Sequence, residues 1–236
     1  MIKTYKVLSA LLSYPTADLQ AEAWNMHLAL DTERLLLPRH RAAIAELIDE
    51  IAASELLDVQ ACYVDLFDRT RALSLHMFEH VHGESRDRGQ AMVSLLERYR
   101  QAGLDVGCNE LPDYIPLFLE FLSTQSVDEG RASLGEAVHI FQALSERLKK
   151  RGTNYRAVLD ALVGLAQVAP AADVLEELRS QKIDDPVDLA ALDKSWEEAE
   201  VRFGPEDPGA TDCPRASEML RRMQASPEKA AAGDNA

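Results

Sequence analysis

Apolar residues recur along almost the whole chain at the three- and four-residue spacing of an amphipathic α-helix. No convincing alternating run bounded by hairpin turns is found, which is the pattern that would predict strands. The first predicted helix has an apolar face and stops ahead of Pro15, because the residue before a proline avoids the helical conformation. This face consists of Ile2, Tyr5, Leu8, Leu11 and Leu12. The pattern therefore predicts an all-α fold.

Capping residues predict where the next helices begin. Thr16 or Asp18 would cap a second helix that runs to about Leu30. Pro38 suits the first position of a third helix, where its missing N–H costs nothing. Asp58 would cap a fourth helix.

The middle of the chain is harder to divide into helices. The stretch from Arg69 to Gly83 predicts a short helix or an ordered loop that Gly83 interrupts. Ser85 or Asp87 would cap the following helix, and Gly103 would close it. A further helix is expected to open at Leu111 and Pro112. The remaining helices are predicted at about 127–151, 154–168, 172–180 and 186–203.

The chain of 236 residues is long enough for one sizeable helical domain. We expect a single helical bundle of roughly nine to ten helices over residues 1–203. From Gly204 onward the composition shifts to Gly, Pro, Ala, Ser and charged residues, and the apolar periodicity fades. Residues 204–236 are therefore predicted to be a flexible, low-complexity tail.

The net charge of −15 comes from 25 basic and 40 acidic residues. Such a chain repels nucleic acid and favours basic partners, although acidity also serves solubility alone. No apolar run approaches the ~18 residues of a membrane span, so a cytoplasmic protein without direct membrane insertion is expected. The three cysteines (Cys62, Cys108 and Cys213) form no CxxC pair and indicate neither a disulfide framework nor a zinc site.

His76 and His80 provide the strongest case for an enzyme. Two histidines four residues apart on a helix share a face and could hold a metal. However, the sequence is not HExxH, and His82 would lie off that face. Ser85 lies in no nucleophile elbow, and no glycine-rich phosphate loop is present. A metal-dependent enzyme that uses His76 and His80 is therefore the alternative function. In the preferred interpretation, no catalytic or metal-binding residue is predicted.

The segment EHVHGESRDRGQ, residues 79–90, concentrates charge next to two apolar helices. One interpretation is a solvated turn followed by a charged first helical turn. The other is a polar rim beside an apolar groove, where His, Glu and Arg side chains fix the direction of a bound peptide. The spacing of these residues does not distinguish the solvated turn from the rim of a peptide groove.

The stretch YVDLFDRTRALSLHMFEHVHGESRDRGQAMVSLLERYRQAGL, residues 63–104, followed by ELPDYIPLFLEFLS, residues 110–123, closely resembles the NarJ family. These are the molybdenum-cofactor assembly chaperones of respiratory nitrate reductase, a branch of the TorD-like redox-enzyme maturation proteins. The most specific part is FEHVHGESRDRGQAM, residues 78–92. The opening LLSYP and the late SWEEAEVRF extend the resemblance over most of residues 1–203.

The resemblance implies a TorD-like helical chaperone rather than an enzyme. Family members bind the N-terminal segment of the unassembled catalytic (alpha) subunit of nitrate reductase. They keep it competent for insertion of molybdopterin guanine dinucleotide and for docking to the membrane partner. The chaperone itself is expected to hold no cofactor stably, and molybdenum cofactor biosynthesis proteins are further candidate partners.

Carried onto this sequence, the resemblance implies a peptide site built from two stretches, residues 63–67 with the block 80–88, and residues 111–118. Related chaperones have an acidic residue followed by histidine in the second stretch, whereas here Asp113 is followed by Tyr114. Asp113 and Glu84 are both expected to be exposed, so reversing either charge should weaken peptide binding and leave stability nearly unchanged. The residues expected at the site are Tyr63, Phe67, Phe78, His80, His82, Glu84, Arg86, Asp87, Arg88, Pro112, Asp113, Tyr114 and Phe118.

The aromatic members of this set, Tyr63, Phe67, Phe78, Tyr114 and Phe118, would line a groove for the apolar face of an amphipathic, basic segment. Taken singly, each of them could equally be an ordinary core residue.

Overall fold

The computed structural model describes residues 1–69, 71–81, 86–107 and 110–180, without the side chains of residues 86 and 87. These residues form eleven α-helices and one short 3₁₀ helix, Arg71–Leu73. The α-helices are α1 (Lys3–Leu12), α2 (Ala17–Ala21), α3 (Ala23–Glu33), α4 (Pro38–Ala53), α5 (Leu56–Phe67), α6 (Met77–Val81), α7 (Arg86–Gln101), α8 (Ile115–Thr124), α9 (Val127–Arg151), α10 (Arg156–Ala166) and α11 (Ala172–Ser180).

Helix α9 is the longest of the described helices, and its sequence explains both ends. Ser126 and Glu129 form a capping box, in which each side chain binds the other residue's backbone amide. Acidic residues occupy the first turn and basic residues the last, which complements the helix dipole. Gly152 then ends the helix with φ of +67°, a left-handed conformation that glycine adopts at little cost.

The core surrounds α9, which packs most extensively on α10 and also contacts α6, α8 and α11. A second large contact joins α1 to α8. Leu134, Phe141 and Leu148 of α9 are almost fully buried, as are Leu159 and Leu162 of α10. Burying each such side chain contributes about 1.5–3 kcal/mol, which makes α9 a stable surface for the short helix α6 that packs on it.

The predicted all-α class is confirmed, since the described residues contain eleven α-helices and, outside them, a single isolated β-bridge. Helices α9 and α11 begin and end where the periodicity places them, and α4 begins at Pro38 as predicted. Gly103 adopts φ of +77° two residues after the end of α7, as expected of a closing glycine.

Three predicted boundaries are wrong. The second predicted helix is divided at Glu22 into α2 and α3. Asp58 does not cap α5, because that helix begins at Leu56 and Asp58 lies in its first turn. Leu111 and Pro112 do not open α8, which begins at Ile115; Tyr114 before it is held extended by a β-bridge.

The helix predicted at 186–203, the tail at 204–236 and the boundary between them lie outside the described residues. None of the helices described here is long and apolar enough to cross a membrane.

Candidate functional site

A backbone bridge joins the start of α6 to the start of α8. His76 and Tyr114 form an isolated antiparallel β-bridge. Beside it, the Ile115 amide donates to the Leu75 carbonyl at 2.9 Å, and the Met77 amide donates to the Asp113 carbonyl at 3.0 Å. Main-chain hydrogen bonds therefore hold residues 75–77, just ahead of the block 80–88, against the stretch 111–118.

Asp113 is fully buried, with 0% of its surface exposed. Its Oδ2 accepts the amide hydrogen of Phe78 at 3.1 Å, and its Oδ1 lies 3.3 Å from Nδ1 of His76. Asp113 thus caps the first turn of α6 from a distant part of the chain, as a capping carboxylate does within one helix. The expectation that Asp113 is exposed is wrong, because its carboxylate satisfies these donors inside the protein.

Arg88 brings α7 to the same carboxylate. Its Nη2 lies 3.3 Å from Oε1 of Glu79 and 3.9 Å from Oδ2 of Asp113. The buried charge of Asp113 consequently has a guanidinium on one side and an imidazole on the other. Such pairing makes the burial of a carboxylate tolerable.

His76 is held on three sides but remains partly exposed. Its backbone forms the β-bridge, Nδ1 contacts Asp113, and its ring lies 5.3 Å from the ring of Tyr114 at an interplanar angle of 34°. The side chain is 29% exposed. The hydrogen bond with Asp113 raises the pKa of His76 above its ordinary value, against the opposing effect of burial.

His80 faces the core, with 5% exposure. Its Nε2 donates to the Ser74 carbonyl at 2.8 Å, and Nη1 of Arg147 approaches its Nδ1 at 3.4 Å. Burial lowers the pKa of His80, so its ring is neutral with the proton on Nε2. Arg147 also donates to the carbonyls of Ala72 and Leu178, each at 2.7 Å.

The predicted shared face of His76 and His80 is not formed. One ring binds Asp113 near the surface, whereas the other binds Ser74 and Arg147 inside. Among the described residues, no group of three or more His, Cys, Asp or Glu side chains is arranged to hold a metal ion.

Tyr63 and Phe67 lie in an aromatic cluster with Tyr155, at centroid distances of 4.9–6.3 Å, and both are buried. The Tyr63 hydroxyl donates to the Leu12 carbonyl at 2.9 Å and lies 3.3 Å from the Tyr114 hydroxyl. Both predicted site residues are therefore buried in this cluster, and Tyr63 contacts Tyr114 through its hydroxyl.

Phe78 and Phe118 meet at a pocket of about 360 Å³ between α6, α7, α8 and α9. Its lining is mainly apolar. Arg98 and Glu136 form an ion pair of 3.0 Å at this pocket, and both are well exposed. The apolar lining includes Met77, Phe78, Val81, Ala91, Leu95, Phe118, Ala137 and Ile140.

The remaining predicted residues are placed as follows. The Pro112 carbonyl accepts the hydroxyl of Tyr99 at 2.7 Å, which fixes the loop before α8 on α7. His82 and Glu84 lie outside the described residues. Arg86 and Asp87 open α7, but their side chains are outside the description.

Sequence reasoning missed the α9 wall of the pocket, the buried Arg147 and the pairing of His76 with Asp113. The apolar stripe of α9 was visible as a helical face but carried no sign of what it packs against. His76 was considered solely as a metal ligand.

Comparison with known proteins gives the family. The sequence profile of the nitrate reductase delta subunit family matches residues 34–161, which is 128 of the 236 residues. The nitrate reductase molybdenum cofactor assembly chaperone NarJ of Escherichia coli K12 is 41% identical over 198 residues, covering 84% of this chain and 83% of that protein.

Two further similarities accompany these matches. A protein of the same strain named "Probable nitrate reductase molybdenum cofactor assembly chaperone NarW" is 39% identical over 92% of this chain and 91% of its own length. A solved structure of a candidate redox enzyme maturation protein from Archaeoglobus fulgidus is similar over 69% of this chain and 91% of that chain, with 20% identity and a TM-score of 0.48.

The sequence matches decide the assignment. They agree with the resemblance seen in residues 63–123, and the relatives they identify are named as assembly chaperones rather than catalytic enzymes. The chain belongs to the nitrate reductase delta subunit family, which includes the NarJ-type molybdenum cofactor assembly chaperones.

Proposed function

We propose that this protein is a cytoplasmic chaperone that binds the N-terminal segment of the apo catalytic subunit of respiratory nitrate reductase. It keeps that subunit competent for insertion of molybdopterin guanine dinucleotide and for assembly onto the membrane partner. The names of the relatives support the chaperone role and the reductase as its client. The choice of the N-terminal segment goes further than those names.

The observation that carries the proposal is the apolar pocket bounded by Phe78 and Phe118. Its volume of about 360 Å³ falls within the range of pockets that bind small ligands or peptide side chains, roughly 300–1,000 Å³. An amphipathic segment binds such a surface by placing its apolar side chains inside and its polar side chains at the rim. The walls that α6, α7 and α8 contribute to the pocket also lie within the stretches that carry the family resemblance, residues 63–104 and 110–123.

Charge favours a basic client. The net charge of −15 would attract a basic segment from a distance and speed its encounter with the pocket. At the rim, Glu136 is paired with Arg98 on the surface, and a surface pair of this kind contributes at most about 1 kcal/mol. The rim can therefore exchange partners at low cost, which suits a chaperone that must release its client.

Calorimetric titration tests the proposal. The full chain is titrated with a synthetic peptide of the N-terminal segment of the catalytic subunit, and with a scrambled peptide of the same composition. We expect saturable binding of the first peptide and much weaker binding of the second. Absence of binding at concentrations of about tens of micromolar would rule the proposal out.

A matched pair of substitutions on α7 tests the location. Ala91 lines the pocket, whereas Val93 on the same helix is exposed and does not. Ala91→Phe should fill the pocket and weaken binding by about tenfold or more, while Val93→Phe should leave the affinity unchanged. Thermal unfolding of both variants shows whether each is folded. Equal affinities for both folded variants would place the peptide elsewhere.

A further inference from the structure

We propose that His76 binds the client segment directly, with its Nε2 donating a hydrogen bond to an oxygen of that segment while Asp113 and Tyr114 hold the imidazole in place. This inference rests on the proposed function, because it assumes that a client segment occupies the surface beside α6. It adds the polar contact that an apolar pocket does not provide.

The imidazole of His76 is already oriented before any client binds. The β-bridge to Tyr114 fixes its backbone, the ring of Tyr114 lies against its ring, and Asp113 engages Nδ1 at 3.3 Å. A hydrogen bond at one ring nitrogen determines which way the other nitrogen points. Preorganisation of this kind lowers the entropy that ordering a side chain would cost on binding.

Nε2 is the part of the ring left for a partner. Within the described part of the chain, this atom makes no hydrogen bond or ion pair, although 29% of the side chain is exposed. His80, four residues later, differs in this respect, since both of its ring nitrogens contact other groups. Nε2 of His76 is thus an outward-facing polar atom on a side chain whose other contacts hold it in place.

The groups around His76 favour the protonated imidazole, in which Nε2 carries a hydrogen. Asp113 lies at Nδ1, Glu79 lies on α6 three residues after His76, and Arg88 of α7 contacts both of these carboxylates. The Asp113 hydrogen bond raises the pKa of His76 most, burial of the ring opposes it, and the charges of Asp113 and Glu79 add to the rise while that of Arg88 opposes it. A protonated ring donates at both nitrogens, so the matching group is a carbonyl or carboxylate oxygen.

His76 is also next to the pocket. It directly precedes Met77 and Phe78, which both line the pocket wall. Consecutive Cα atoms are about 3.8 Å apart, so a peptide seated against Phe78 comes within reach of the imidazole.

The cap on α6 does not depend on His76. Asp113 accepts the amide hydrogens of Met77 and Phe78 through its main-chain and side-chain oxygens. Replacing the imidazole leaves both bonds in place. A purely structural role for His76 therefore predicts an unchanged affinity in a folded variant, whereas a binding role predicts a loss of affinity.

The chain supplies a close control in His27. Its side chain is 28% exposed, and its Nε2 lies 2.9 Å from Oδ1 of Asp49, so it resembles His76 in exposure and in having a carboxylate partner. His27 lies on α3 and lines none of the pocket against Phe78. His27→Leu and His76→Leu thus remove comparable side chains from two surfaces.

Calorimetric titration of the full chain with the N-terminal segment peptide tests the inference. We expect His76→Leu to weaken binding by about tenfold, His76→Gln to recover part of the affinity through its side-chain N–H, and His27→Leu to have no effect. If the wild type binds and His76→Leu binds equally well, this inference fails and the proposed function stands. If the wild type does not bind, the proposed function itself fails.

Nitrogen NMR of the histidine side chains gives a readout that a structural role would not change. We expect the Nε2 resonance of His76 to shift when the peptide is added and that of His27 to remain in place. An unchanged His76 resonance in a saturated complex overturns the inference.

Peptide variants then separate the two kinds of oxygen. Each acidic residue of the peptide is replaced by its amide and titrated against the wild type and His76→Leu. A replacement that weakens binding to the wild type alone identifies a carboxylate acceptor. Equal behaviour of all replacements assigns the hydrogen bond to a backbone carbonyl.

Discussion

The carboxylate of Asp113 lies 3.1 Å from the amide nitrogen of Phe78, although 35 residues separate them. Through this contact the loop before α8 determines where α6 begins. Phe78 in turn forms part of the pocket wall. The position of the candidate binding surface is thus tied to a buried acidic residue rather than to a surface charge.

Removing this cap should destabilise the protein. Asp113→Ala removes the carboxylate that accepts from the Phe78 amide and contacts His76, so we expect the free energy of unfolding to fall by about 2 kcal/mol. Urea denaturation measures the change. Asp105→Ala, at an exposed position, is the control and should change it by less than about 0.5 kcal/mol. Equal stabilities of the two variants would show that the cap contributes nothing.

The two histidines at the site should titrate in opposite directions from the ordinary value of about 6.5. The pKa of His76 is raised by its hydrogen bond with Asp113, and the pKa of His80 is lowered by burial. NMR titration of the imidazole resonances measures both. In Asp113→Asn the pKa of His76 should fall while that of His80 remains low; a pKa of His76 that stays raised would point to another cause.

The free energy of unfolding should depend on pH in the way that these two pKa shifts require. The contribution of His76 is fully present below the pKa of the unfolded chain and is lost as pH rises through its higher folded value. The contribution of His80 is present above the unfolded pKa and is lost as pH falls toward its lower folded value. Wild type and His76→Gln should therefore differ most in unfolding free energy at the acidic end of a series from about pH 5 to 8. A difference that grows with pH would contradict the assignment.

The sequence predicts the helices well and the site only in part. The bounds of α9 follow from its own stripe and capping box, which are local features. The pairing of Asp113 with His76 joins residues 37 positions apart, and no local spacing encodes it. Asp113 was expected to be exposed, but it is buried, and the donors that its carboxylate accepts from belong to the distant segment at the start of α6.

Arg147 presents the same difficulty within a helix whose bounds were predicted. It lies on the buried face of α9 and donates to the carbonyls of Ala72 and Leu178, so it connects α9 to the segment before α6 and to α11. A charged residue at such a position interrupts the apolar stripe, and its partners lie 75 and 31 residues away. Its role could be identified only from the fold.

Replacing Arg147 should loosen both connections. Arg147→Ala leaves the buried Leu178 carbonyl and the partly buried Ala72 carbonyl without this donor, and we expect the free energy of unfolding to fall by about 2–4 kcal/mol. Arg147→Lys should recover little, because one ammonium lacks the fork that reaches both carbonyls. Lys150→Ala on the exposed end of α9 is the control. Hydrogen exchange should show faster opening of α11 in Arg147→Ala; protection equal to that of the control would mean that the two bonds are dispensable.

Gly130 and Tyr5 give a test of packing between α9 and α1. A Cβ added at Gly130 would lie 2.9 Å from the hydroxyl oxygen of Tyr5, which is fully buried and makes no hydrogen bond to the described part of the protein. Gly130→Ala should therefore destabilise the protein by about 1 kcal/mol, although alanine favours helix more than glycine does. Tyr5→Phe should leave stability unchanged or raise it slightly, because it removes a buried hydroxyl without this bond.

The double variant of Tyr5→Phe and Gly130→Ala shows whether the Tyr5 hydroxyl causes the destabilisation by Gly130→Ala. With the oxygen removed, alanine at position 130 meets only ring carbons at 3.2 Å and beyond, so the cost of Gly130→Ala should shrink or reverse in the Tyr5→Phe background. Gly89→Ala on α7, where an added Cβ has no neighbour within 4 Å among the described residues, shows the helix preference alone and should stabilise by about 0.5–1 kcal/mol. Urea denaturation of the four chains of the cycle measures the coupling. Strictly additive effects of Tyr5→Phe and Gly130→Ala would mean that the clash lies with another atom.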